Sequence, residues 1–191
     1  IGRILPQMIY YFYSYLEKSE EGEKFLVSVP SGNFGNSLGC EFGRRMGLPL
    51  HRLIMAVNEN NEFPQYLNSG NYQKLSPSKA CISSAMNVGH PSNLARFFEL
   101  YGGTVDKSGK VFKYPDIKKI KENIYSTSIS DQKTRDTIKN VYDKYNVVLE
   151  PHGAVGWAGL ESYYHDNGDY ALSVSLETAH PAKFPDEIKS L

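Results

Sequence analysis

The chain is 191 residues long, with 21 basic and 21 acidic residues and two cysteines. That length suits one domain with a substantial core, and a balanced charge with no basic block speaks against a nucleic-acid partner. No run is long and apolar enough to span a bilayer, residues 1–4 lack a signal-peptide layout, and Cys40 and Cys81 stand in no metal spacing, so free thiols of a reducing, cytoplasmic setting are expected.

Residues 7–17 include Met8, Ile9, Tyr10, Tyr11, Phe12, Tyr13, Tyr15 and Leu16. So apolar a run predicts a helix packed on more than one side. Residues 25–29 read as a buried strand, ended by Pro30, which has no N–H for a ladder. The loop Ser31-Gly32-Asn33-Phe34-Gly35-Asn36 follows, and then a helix over 37–46 that Asn36 or Ser37 can cap. Gly32 and Gly35 permit backbone angles closed to other residues, so successive N–H groups can turn inward around one point. The helix directs its positive end at the same point. A strand, glycine loop and helix in that order make a seat for a phosphate. The spacing is neither the dinucleotide fingerprint nor a P-loop, and on spacing alone an empty strand-to-helix turn explains it equally well.

Residues 50–57 predict a second strand, giving a β-α-β unit with the loop at the carboxyl edge, where parallel sheets bind ligands. Residues 58–61 read as a polar turn, 62–67 as a short helix, 69–78 as loop, and 80–89 as a segment crossing back to the sheet. A helix over 91–100 starts at Pro91 or Ser92, with Arg96 on its exposed side. Residues 104–114 suggest a hairpin around Ser108-Gly109. Helices follow at 116–125, with Ile124 on the inner face, and at 131–145. A strand at 147–149, a helix from His152 to Tyr164, a strand at 170–176 and a last helix from Asp186 complete the chain. Strands near 26, 53, 148 and 173 with helices between them predict a single three-layer αβα domain over 1–191, α/β with a mainly parallel sheet.

Four stretches resemble one family in order. They are the loop Ser31–Asn36, the segment Ser84-Ala85-Met86-Asn87-Val88-Gly89-His90-Pro91-Ser92-Asn93-Leu94, Glu150-Pro151-His152-Gly153-Ala154-Val155-Gly156, and Leu176-Glu177-Thr178-Ala179-His180-Pro181-Ala182-Lys183-Phe184-Pro185. They are similar to the motifs of threonine synthases, within the fold-type II enzymes that use pyridoxal 5′-phosphate. Asn87 stands where that family commonly has Asp, and His90 where it often has Asn. The resemblance implies conversion of O-phospho-L-homoserine and water into L-threonine and phosphate. It implies that Ser31, Gly32, Asn33, Phe34, Gly35 and Asn36 hold the cofactor phosphate, and that Thr178 meets the ring nitrogen. A neutral hydroxyl there is expected to leave that nitrogen unprotonated. Ser92, Asn93, His180 and Lys183 are expected on the substrate side, although a strand-end hydroxyl and a backbone-bonded histidine explain Thr178 and His180 as well. No metal is implied.

The Schiff-base lysine of the family lies before the phosphate loop. Only Lys18 and Lys24 do so here, both in the charged stretch 17–24, without the burial that lowers an amine's pKa. With a first residue other than Met, the chain is expected to be the later part of a longer enzyme, lacking the N-terminal domain and inactive alone. The alternatives are another fold-type II amino-acid lyase, such as a threonine dehydratase or cysteine synthase relative, and a non-catalytic domain that binds phosphate or cofactor.

Overall fold

A computed structural model describes residues 2–189. Helix α1 (Leu5–Lys18) precedes strand β1 (Phe25–Pro30), α2 (Gly35–Arg45), β2 (Leu50–Val57) and α3 (Glu62–Ser69). A short 3-10 turn at Ser84–Met86 leads to α4 (Leu94–Leu100) and to a small antiparallel pair, β3 (Thr104–Val105) and β4 (Val111–Lys113). Then come α5 (Ile117–Asn123), β5 (Ile124–Ser128), α6 (Asp131–Tyr145), α7 (Pro151–Asn167), β6 (Ser173–Ser175), a second 3-10 turn and α8 (Pro185–Lys189). The main sheet is wholly parallel, in the order β5-β2-β1-β6.

Alternation along β1 builds the layers. Phe25, Val27 and Val29 face one side, where they join Leu38 of α2, Phe63 of α3 and Phe97 of α4 in the main core. Leu26 faces the other side with Ile54, Leu160 and Tyr163. Helix α7 lies there against β1 and β2, with α6 packed on it. Small residues let α7 come close. Ser28 donates to the carbonyl of Gly156 at 2.6 Å, and a Cβ on Gly159 would stand 2.5 Å from that of Ala56. The three-layer α/β reading holds.

Two strand assignments need correction. Residues 147–149 form no strand; Val147 and Val148 are exposed and lead directly into α7. The third parallel strand is β5, beside β2. Its sequence, Ile-Tyr-Ser-Thr-Ser, is that of a sheet edge, with hydroxyls serving neighbouring carbonyls: Ser126 donates to Met55 and Ser128 to Asn58. Ile120 and Ile124 are both buried, so the apolar spacing that suggested one continuous helix spans a helix-to-strand junction.

Helix α1 also differs. It packs on one side only, against α2, whose Gly39 and Gly43 meet Gln7 and Phe12. Tyr11 is its one buried residue, while Ile9, Tyr10, Tyr13 and Leu16 are exposed. Helix α4 begins at Leu94, three residues later than the Pro91 start. The 104–114 hairpin forms as β3 and β4, and α6 has the expected bounds. The last helix is described to Lys189, and the remainder of that expectation, residues 190–191, lies outside the described residues.

Candidate functional site

The glycine loop joins β1 to α2 at the carboxyl edge of the sheet. Its conformation departs from the sequence reading. The left-handed residue is Phe34, at φ 60°, and neither Gly32 nor Gly35 has positive φ. A non-glycine residue in this region is strained. Packing holds it there: the Phe34 ring is buried edge-on against Phe63 and Phe97, with centroids 5.0 and 6.1 Å away. Gly32 is required for a different reason. A Cβ there would lie 2.7 Å from the Cα of Met86, so the crossing segment 80–89 closes directly onto the loop.

No side chain caps α2, which starts at Gly35, before the two residues proposed as caps. Ser37 is bonded instead to Ser31, 2.6 Å away. Ser31 donates its hydroxyl proton to Val29 and its N–H to Ala56, so both hydroxyl protons are spent within the protein. Among the described residues, the N–H groups of residues 32–37 make no hydrogen bond to the protein. These six unengaged donors stand at the start of an uncapped helix. Asn33 is held on both sides: its side-chain oxygen accepts the N–H of Ser92, and its carbonyl accepts the side-chain amide of Asn93. Ser92 and Asn93 therefore converge on the loop. Together with Arg3, Gln7, Gly35 and Arg96 they line a cavity of about 550 Å³.

On the other flank of the loop, Asn36 and Thr178 line a common cavity of about 450 Å³ with Tyr10, Tyr11, Leu176 and Glu177. Tyr11 donates to the carbonyl of Asn36 at 2.9 Å. Behind Thr178 stands a buried cluster that the sequence reading left unassigned. Glu150 caps α7 and is fully buried, and His152 beside it is nearly so. Glu150 accepts the N–H groups of His152 and Gly153, the Nδ1 proton of His152, and the hydroxyl of Thr178 at 3.2 Å. Burial by itself raises the pKa of Glu150, but these donors, led by the His152 ring, hold it below the usual carboxylate range. His152 Nε2 accepts the N–H of Ala85 at 3.0 Å, tying this cluster to the segment that closes over Gly32. Glu177 accepts the N–H of Glu150. Burial, together with the charge of Glu150, pushes Glu177 up to about 7.

His180 and Lys183 sit apart from this arrangement, on the exposed turn after Thr178. His180 accepts the N–H of Ala182 through Nδ1, which is the backbone-bonded role that competed with substrate binding. The polar turn at 58–61 is also more than a turn. Asn58 and Asn60 are buried and bond Ser83, Asn87 and Lys79, fastening the crossing segment to the end of β2.

The two family departures have local reasons. The Asn87 oxygen accepts from Cys81 and Asn58, while its amide donates to the Cys81 carbonyl, a donor that Asp lacks. His90 bonds Tyr72 through Nδ1 and the Asp106 carbonyl through Nε2, joining three segments.

No family model matches the chain. The chain is 34% identical to threonine synthase of Saccharomyces cerevisiae across 99% of its own length and 42% of that protein's. It is equally 34% identical to threonine synthase of Buchnera aphidicola from Acyrthosiphon pisum, across all of the chain and 41% of the relative. Among solved structures, the pyridoxal-phosphate-bound threonine synthase of Brucella melitensis superposes with a TM-score of 0.85 at 31% identity, across 98% of this chain and 42% of that one. A threonine deaminase of Solanum lycopersicum shares the fold at a TM-score of 0.60 and 17% identity. The fold is thus that of the fold-type II pyridoxal-phosphate enzymes, with the glycine loop at its carboxyl edge. Within that class the chain belongs with the threonine synthases. It spans about two fifths of the length of the curated relatives it matches.

Proposed function

We propose that this chain is the phosphate-holding part of a threonine synthase, which converts O-phospho-L-homoserine and water into L-threonine and phosphate with pyridoxal 5′-phosphate. The observation that carries the reading is the row of unengaged N–H groups at residues 32–37, facing a helix start that no side chain caps. The residues present fit the cofactor. Main-chain donors suit its phosphate, and the side-chain NH2 groups of Asn33 and Asn36 are unengaged among the described residues. Thr178 shares a cavity with Asn36, where a ring can lie. When bound, the cofactor supplies an electron sink for carbon acids.

In this reading Gly32, Asn33, Phe34, Gly35 and Asn36 bind the phosphate, Ser31 anchors the loop from below, and Thr178 contacts the ring nitrogen. Ser92 and Asn93 set the position of Asn33 and border the substrate, and His180 and Lys183 belong to the exposed turn on the substrate side. The chain is one domain, and the lysine that binds the cofactor comes from polypeptide outside these 191 residues, because Lys18 and Lys24 are exposed. The free, buried cysteines suit a cytoplasmic protein.

The test is titration of the full-length protein with the cofactor, followed by visible absorbance and by the cofactor's phosphorus resonance. A shifted phosphorus signal, with release of phosphate from O-phospho-L-homoserine and appearance of threonine, is expected. Absence of binding at millimolar cofactor, or binding with turnover of threonine or serine instead, overturns the reading.

A further inference from the structure

The four motif stretches lie far apart in the chain, and they meet around one side chain. His152 belongs to the third, on the first turn of α7, and is 4% exposed. Its Nε2 accepts the N–H of Ala85, in the second, at 3.0 Å. Its ring centroid lies 5.2 Å from that of Phe184, in the fourth. Residues 85 and 86 press in turn on Gly32 of the first, where a Cβ would stand 2.7 Å from the Cα of Met86 and 3.2 Å from the carbonyl oxygen of Ala85. The direction of each bond follows from the groups present. A backbone N–H can only donate, so Nε2 offers its lone pair to Ala85. The ring is therefore neutral, with its proton on Nδ1, which donates to Glu150. Glu150 also accepts the N–H groups of His152 and Gly153, so the carboxylate that orients the ring is itself fixed to the helix start.

The flanks of the crossing segment are tied elsewhere. Asp131 accepts the N–H of Ile82, and Asn58 donates to Ser83 and Asn87. For residues 84–86, the bond to His152 is the one hydrogen bond to another element among the described residues. Without it, the stretch over Gly32 is held by contact alone. We propose that His152 is a positioning residue for cofactor binding: as a neutral acceptor it latches residues 84–86 over the glycine loop, and so keeps the N–H groups of residues 32–37 turned toward the bound phosphate. The inference rests on the proposed seating of pyridoxal 5′-phosphate on that loop. His152 lines neither cavity beside the loop and acts through Ala85.

Glutamine and asparagine separate the two sides of the ring. A glutamine side chain can place its amide oxygen near the position of Nε2, whereas the shorter asparagine reaches only the Nδ1 side. The full-length variants His152→Gln and His152→Asn are titrated with pyridoxal 5′-phosphate, followed by visible absorbance and by the phosphorus resonance. His152→Gln is expected to bind close to wild type, and His152→Asn about tenfold more weakly, the scale of one lost hydrogen bond. The histidine nitrogen-15 spectrum of the wild type is expected to show His152 protonated at Nδ1 and bare at Nε2. Equal affinity of the two variants overturns the inference, as does weaker binding by His152→Gln than by His152→Asn, because the Glu150 side of the ring would then be the one that matters. A wild-type Nε2 that carries a proton overturns it as well. If His152→Asn does not fold, the spectrum and His152→Gln decide, and a tenfold loss in the glutamine variant overturns the latch. If the wild type itself leaves the phosphorus resonance unmoved, the seating on the loop is wrong and the inference falls with it.

Discussion

Phe34 and Gly32 divide the work of the loop in a way that composition does not suggest. Glycines in such loops are read as conformational hinges, yet here Phe34 takes the left-handed backbone and two aromatic neighbours keep it there. Gly32 is small because the main chain of Met86 leaves no room for a side chain. Replacing Gly32 with Ala is therefore expected to displace the crossing segment. We expect a stability loss of about 1–3 kcal/mol, the usual cost of overpacking, and at least a tenfold loss of cofactor affinity in an absorbance titration. Unchanged affinity would show that the loop tolerates the shift and that Gly32 is not structurally required. The roles of Asn58 and Asn60 were illegible in the sequence. A lone Asn near a strand end reads as a polar turn, and only partners distant along the chain, such as Ser83 for Asn58, show otherwise.

At the scale of elements, α7 shows how weakly amphipathic patterning can still specify a buried helix. Its glycines and alanines make close approach the organising feature. Gly159 lies mid-helix, where Ala is normally better by about 1 kcal/mol. Its Cβ would, however, meet Ala56 at 2.5 Å on a strand paired on both sides. Overpacking outweighs propensity, so Gly159→Ala should lower the urea midpoint, by about 1–2 kcal/mol in free energy. Adding Ala56→Gly should restore part of the loss. An increase in stability for the single variant would mean that α7 shifts freely over the sheet. The β5 error has a related cause. Five residues of mixed polarity carry little periodic signal, and register with β2 alone makes them a strand.

For the whole molecule, Glu62 carries a distinct electrostatic cost. It is 3% exposed, its Oε2 has no partner among the described residues, and burial pushes its pKa up to about 7. The folded state therefore holds this proton more tightly than the unfolded chain. The sign follows: stability is higher when Glu62 is protonated and declines as pH rises from the ordinary carboxylate range to about 7. The cost above that range is on the order of 3 kcal/mol. Glu62→Gln should thus raise the melting temperature relative to wild type at pH 8 and leave it nearly equal at pH 5. The same difference at both pH values would refute a titrating Glu62.

Local order alone determined much of this protein. The strand, glycine loop and helix at 25–46, the second strand, the 104–114 hairpin and α6 follow from short-range periodicity and turn chemistry, which act within a few residues and so can be read along the chain. The family motifs were legible for the same reason. Tertiary structure alone decided which residue of the loop takes the left-handed backbone, which strand pairs with the outer side of β2, which face of α1 is left bare, and which groups surround Glu150. Each of these depends on atoms brought together from segments tens of residues apart, and sequence spacing holds no record of such distances.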